Sequence, residues 1–343
     1  MVRLWRLLVL LAVLLVLVSM AIVAGAQFSE SIVMEYAGVC YHDVYSMCAV
    51  DVRRGLVRWS VGRAVRPADA VRMVYSTARP GDVFLYDGND SHNMTDDAVH
   101  NTIPALSVDG VWLAYADRDN EGGTTLRLMN TYSRSRSTLQ TPQGNYAGPP
   151  VWSPDASAFL YLTALVSTGT QVWRVPVDGG KPVRLGVAAG TRVAWSPDGR
   201  QVAYVTPDRA RIFIADALSG NTVAEYHITA GQDEIARLAW APDGERIAFL
   251  HREVTANFST GISVDDTRLL HIESGEITRL RQPVYRTYDS LYWANERYIV
   301  QAVRVGAGVN IRAAILLLDT WGNDTRMMET GAIDQVMGLW DGS

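Results

Sequence analysis

The chain has 343 residues, a net charge of −5 and 48% apolar residues, which is ample for a large buried core. Lys181 is the only lysine and the arginines form no stripe, which argues against a nucleic-acid surface built on clustered basic side chains. With two cysteines there is neither a disulfide-rich scaffold nor a second pair to complete a four-cysteine zinc site. At the N-terminus, Arg3 and Arg6 precede residues 7–26, twenty residues without a charge and long enough to span a bilayer. The positive flank puts that end in the cytoplasm and the rest of the chain outside. Ala24-Gly25-Ala26 also reads as a signal-peptidase site, so a retained transmembrane anchor and a cleaved signal peptide are both open. The expected layout is this leader at 1–26 and one domain at 27–343. The location is extracytoplasmic: membrane-anchored, or periplasmic or secreted after cleavage.

Cys40 and Cys48 flank YHDVYSM, a loop between two expected strands. Outside the cytoplasm a close pair is expected to form a disulfide. Further along, a short phrase recurs. WSPDG stands at 195–199, WSPDA at 152–156, WAPDG at 240–244 and LSVDG at 106–110. Ser-Pro-Asp-Gly suits a type I turn, with Pro presetting φ in the second place and Gly last. After each phrase comes an alternating apolar run (RQVAYVT, SAFLYLT, ERIAFLH, VWLAYAD), so each phrase reads as a β-hairpin. The turn acids Asp109, Asp155, Asp198 and Asp243 lie 46, 43 and 45 residues apart. Weaker copies put Asp69 40 residues upstream, and Glu296 and Asp341 53 and 45 residues further on. Seven second hairpins, such as VWRVPVDGGKPVRL and IFIADALSGNTVAEY, alternate with the first set.

Four strands per unit at this period predict an all-β fold: a seven-bladed β-propeller of four-stranded blades, preceded by the N-terminal transmembrane or signal helix. The terminal GLWDGS reads as an innermost strand and turn that lack their partners. SIVMEYAGV, YSMCAVDV and LVRWSVG supply three strands that lack an innermost one. The N- and C-terminal strands are therefore expected to pair and close the ring, which removes sheet edges. Six blades with an irregular N-terminal segment is the alternative count, because GRAVRPADA at 62–70 is a degenerate inner strand.

The phrase W-S-P-D-G, an apolar strand, a polar loop, a second apolar strand ending in Asp and a Gly turn resemble the TolB-like (WD-repeat-like) β-propeller family. The resemblance covers essentially the whole chain after the leader. It implies a periplasmic or cell-surface binding platform. The same repeat also caps some serine peptidases and forms some polysaccharide lyases. The separate α-helical domain that TolB carries ahead of its propeller has no counterpart here, so TolB's particular partners do not carry over.

A search for chemistry finds no G-x-S-x-G elbow, H-E-x-x-H helix, P-loop or dinucleotide fingerprint. No cofactor is expected. The six histidines are scattered, none at ligand spacing, though a propeller could bring distant loops together. In DRDNEGG at 117–123, Asp117, Asp119 and Glu121 alternate as in a calcium loop, but the full loop pattern is missing, so this is a weak calcium candidate and a plain solvated turn is expected, with no metal site. Asp265-Asp266 is a weaker form of the same signal. The repeated Trp residues are expected to pack between blades rather than to stack sugars.

The Pro-Asp-Gly turns and the Gly turns of the second hairpins share one face, so the loops of variable length share the other. That face is where binding residues are expected. The starts of the innermost strands there supply His100, Tyr146, Arg192, Arg237, Tyr285, Arg286 and Asp334 as candidate partner-binding residues, since Arg and Tyr are enriched at interface hot spots. The leading functional expectation is a monomeric, non-enzymatic platform that binds a protein or peptide of the cell envelope and touches the membrane through the N-terminal helix only. One alternative is a carbohydrate lyase or hydrolase with its site at the channel mouth. Another is a structural or sensor ectodomain of an envelope complex.

Overall fold

A computed structural model describes residues 32–41, 44–52, 56–60, 73–77, 81–86, 90–97, 99–118, 123–165, 169–229, 233–253, 264–282, 286–287, 290–305, 312–322, 324–330 and 333–341. Within them the regular structure is all β, in seven antiparallel sheets. The leader and residues 61–72, where the degenerate inner strand of the second repeat was expected, lie outside this set. The second sheet accordingly shows three strands, Met73–Ser76, Val83–Tyr86 and Ser91–Asn93. The third to sixth sheets have four strands each, in chain order across the sheet. In the seventh, the inner strand is split into Arg286–Thr287 and Tyr292–Trp293, both paired with Tyr298–Val305. In the first sheet Ile333–Asp341 pairs with Ile32–Tyr41, from Ile32 opposite Asp341 to Gly38 opposite Ile333, so both ends of the chain share one sheet.

Burial explains the long apolar runs. The second strand of each repeat is covered on both faces by neighbouring sheets, so Ala158–Leu165 is buried over its first six residues and the run need not alternate in polarity. Core clusters bridge successive sheets. Leu85 and Met94 share a cluster with Tyr115, Leu128 with Tyr161, Leu160 with Tyr204, Ile214 with Phe249, Leu269 with Leu318, and Ile315 with Met34. The last cluster sets the seventh sheet against the first.

The repeated phrase has a local mechanism. The hydroxyls of Ser107, Ser153 and Ser196 donate to Asp109, Asp155 and Asp198 at 2.5, 2.6 and 2.6 Å. Each carboxylate also accepts a backbone N–H two residues on, from Val111, Ser157 and Arg200. The serine bonds are the main reason that the Asp155 and Asp198 carboxyls are held below 3.8. The closing residue turns left-handed, with φ of 70° at Gly110, 69° at Gly199 and 77° at Gly244, and Ala156 adopts 55° in the copy that lacks Gly. The tryptophan before the turn ties sheet to sheet. Trp152, Trp195 and Trp293 donate their indole N–H to the carbonyls of Ala105, Val151 and Ala239 on the preceding inner strands, at 2.9, 2.9 and 3.1 Å. Trp240 instead donates to Gly244 in its own turn.

The register also bears on the cysteines. Cys48 lies opposite Tyr36, whereas Cys40 falls at the irregularity between Val39 and Tyr41, which pair with Tyr45 and Val44. The side chains of both cysteines lie outside the described residues, and the expected disulfide with them.

Candidate functional site on the loop face

Every strand that leaves a Pro-Asp-Gly turn ends on the opposite face, and in the sixth sheet these ends are charged. Arg246–Glu253 is apolar along its middle and finishes in His251-Arg252-Glu253, and Val264–His271 has Asp265-Asp266 at its start. Antiparallel register sets Arg252 opposite Glu234 on one side and Asp265 on the other, a row of alternating charge. Arg252 reaches the Asp265 carboxylate with Nε at 2.7 Å and Nη2 at 3.1 Å, and Glu234 with Nη1 at 3.3 Å. Arg209, from the tight turn of the fifth sheet, pairs with Glu234 from the other side. Burial pushes the Glu234 carboxyl up, but the Arg209 bond and the charges of Arg209, Arg252 and Arg192 outweigh it and hold the group below 4.5. Asp265 is fully buried, and beside it Thr267 accepts a hydrogen bond from Gln301 of the seventh sheet at 2.8 Å.

The next row lies on the other face of the same sheet. His251 sits opposite Asp266 and, two residues from Phe249, projects towards the fifth sheet against which Phe249 packs. Arg268 Nη2 lies 3.0 Å from His251 Nδ1, and its Nε donates to Asp266 at 2.7 Å. Arg279 adds a second guanidinium on Asp266 at 3.1 Å. With Nδ1 accepting from Arg268, the neutral ring carries its proton on Nε2, which faces Asp233 Oδ2 at 3.4 Å. Burial pushes the imidazole below 6.5 and the Arg268 charge adds to this, against the opposing pull of Asp266 and Asp233. The ring is therefore neutral at pH 7. Its side chain is 7% exposed, while that of Asp233 is 32% exposed, so Asp233 is the end of the chain Arg268–His251–Asp233 that solvent can reach.

Of the residues expected at this face, Arg192 lies closest to the network. Its guanidinium donates to the carbonyls of Ala236 and Ala189 at 2.7 and 3.0 Å, which staples the fifth sheet to the sixth. Arg237 is half-buried beside a register shift on Glu234–Trp240. His100 is exposed at the head of its strand, with its ring against Gly81, which has φ of 98° and no room for a Cβ. Tyr146 bridges to Thr163 and its hydroxyl lies 3.5 Å from that of Thr102. Those two belong to the third and fourth sheets and do not join the network. Tyr285 lies outside the described residues, and Arg286 and Asp334 are placed by their strands only. Asp117 is ion-paired with Arg127 at 2.6 Å, while Asp119 and Glu121 lie outside the described residues. Asp117 Oδ1 and Asn101 Oδ1, on directly opposite residues, are both buried without a hydrogen-bond partner. Among the described residues no three His, Cys, Asp or Glu side chains gather as a metal site would require.

The sequence matches no protein-family profile and no curated protein. Solved structures do match. TolB from Acinetobacter baumannii aligns at 19% identity over 87% of this chain and 79% of its own, with a TM-score of 0.50. The chain has a TolB-like propeller fold. A puromycin-hydrolyzing peptidase of Mycobacterium tuberculosis aligns at 14% identity and a TM-score of 0.60, over 88% of this chain and 53% of the peptidase. An oligogalacturonate lyase solved with manganese aligns at 13% identity and a TM-score of 0.53, over 78% and 75%. These likenesses establish the fold alone. They correct the expectation of a non-enzymatic platform, because the same propeller architecture occurs in a peptidase and a lyase as well as in TolB. The absence of a linear catalytic motif carries no weight here, since Asp233, His251, Asp266 and Arg268 converge only through strand pairing.

Proposed function

We propose that the chain is a carbohydrate-active enzyme, a lyase or hydrolase, with its site at the mouth of the loop face. The observation that carries this reading is the row Arg268–His251–Asp233, in which a buried imidazole lies 3.4 Å from an accessible carboxylate. Asp233 is the proton-transfer group and His251 and Arg268 are positioning residues. Arg192, Arg209 and Arg252 bring positive charge to the adjacent Glu234, and a guanidinium-rich rim of this kind favours an anionic, uronate-type polymer. His100 and Tyr146 add candidate contacts from the third and fourth sheets. The scaffold is a monomeric ring of seven blades closed by the terminal strands, spanning 27–343. Residues 1–26 tether it outside the cytoplasm as an uncleaved anchor.

The test is to incubate the full chain in mild detergent with polymeric uronates and neutral glycans, and to follow new chain ends. Ends that carry an ultraviolet-absorbing double bond identify a lyase, and saturated reducing ends a hydrolase. Cleavage of the anionic polymers in preference to neutral ones is expected. No cleavage of either kind would overturn the reading.

A further inference from the structure

The face opposite this site carries an unexplained pattern. Among the described residues the most exposed large apolar side chains are Val108 (73%), Leu218 (70%), Tyr132 (66%) and Trp321 (64%). They come from three different sheets, yet all four sit on turns of the Pro-Asp-Gly face. Val108 tips the first turn of the third sheet and Tyr132 its last turn. Leu218 and Trp321 tip the corresponding last turns of the fifth and seventh. Trp321 is held in place: Arg297 lies 5.5 Å from its ring centroid while also pairing with Asp319. A solvated turn has no need of such residues, whereas aromatic and aliphatic tips suit a membrane–water boundary.

The chain path leads to the same face. Ile32 pairs with Asp341, the last residue of the inner strand Ile333–Asp341, so the first strand starts at the Pro-Asp-Gly face. Only residues 27–31 separate it from the apolar stretch at 7–26, at most about 18 Å of extended chain. We infer that the Pro-Asp-Gly face docks on the lipid surface, with Tyr132, Leu218, Val108 and Trp321 seated in the headgroup boundary and the charged loop face turned away from it. The inference rests on residues 7–26 being a retained anchor, and it is independent of the reaction proposed for the loop face.

The test uses the full chain in phosphatidylcholine vesicles, with flotation as one readout and quenching of tryptophan emission by brominated phosphatidylcholine as the other. Wild type is compared with Trp321→Phe, an exposed substitution. Both proteins are expected to float. Brominated lipid should remove a larger share of emission from wild type than from the variant, by up to about a tenth of the total, Trp321 being one of ten tryptophans. Equal quenching in two floating proteins would overturn the docking and leave the anchor standing. Failure of either protein to float would overturn the anchor and the docking together.

Discussion

Arg252→Ala should be among the most destabilising single changes on the loop face. Arg252 neutralises Asp265, whose side chain is fully buried, and also contacts Glu234. Removing the guanidinium breaks this ion pair at its buried end, which costs about 3–5 kcal/mol. Against a typical domain stability of about 5–15 kcal/mol this is about a fifth or more of the total. Asp265→Asn perturbs the same pair from its other end, and the structure predicts a smaller effect. Arg252 is 22% exposed and keeps Glu234, so water and a second carboxylate compensate it. The loss is then that of charge-assisted hydrogen bonds, about 2 kcal/mol. The double variant Arg252→Leu/Asp265→Leu should cost less than the two single changes added together, because neither charge is left behind. Urea unfolding followed by far-ultraviolet circular dichroism gives all three values, provided the slope with urea is unchanged. Arg252→Ala costing less than about 1 kcal/mol, or Asp265→Asn matching it, would refute the reasoning.

Further outcomes follow from the same geometry. His251 is held below its ordinary value of 6.5, so its neutral form stabilises the fold above that pH, and the contribution is lost as pH falls from 6.5 towards the folded value. The melting temperature should therefore drop on acidification through this window, and His251→Gln should flatten the drop. Gly220→Ala should destabilise more than Gly244→Ala. Both have φ above 70°, but a Cβ at Gly220 would lie 2.5 Å from the Arg184 carbonyl oxygen, and at Gly244 nothing lies nearer than Pro197 Cγ at 3.6 Å. Gly244→Ala should cost about 1 kcal/mol of backbone strain, and Gly220→Ala should exceed that by a margin visible in thermal melts.

Much of the fold was legible because its signal is local. In WSPDG the serine, proline, aspartate and glycine each do a task set within five residues, and the tryptophan's place before the turn follows from what it must reach on the preceding strand. The spacing of Asp109, Asp155, Asp198 and Asp243 then sets the repeat. The second sheet was the hardest to read, since GRAVRPADA keeps the turn acid without the apolar alternation. The loop-face network was nearly invisible for the opposite reason. Glu234, Arg252 and Asp265 are neighbours only once three strands are in register, and no linear pattern marks that. The signal that was present is a break in composition: HR at the end of one apolar run and DD at the start of the next, on either side of an insertion. The Asp265-Asp266 pair suggested a weak cation loop by its charge, whereas the strands give both carboxylates to arginines. Arg192, singled out at the rim, proves to be a staple between sheets that also lends its charge to Glu234.

Asp233 at the open end of the His251 chain is the group on which the functional reading depends. The most direct test is the turnover of Asp233→Asn on whichever uronate polymer the wild-type chain cleaves, with the melting temperature of both proteins measured alongside. Loss of a proton-transfer group should lower kcat by about 10²–10⁴-fold while the fold melts as before. An Asp233→Asn protein that melts normally and turns over at the wild-type rate would place the chemistry elsewhere on the propeller.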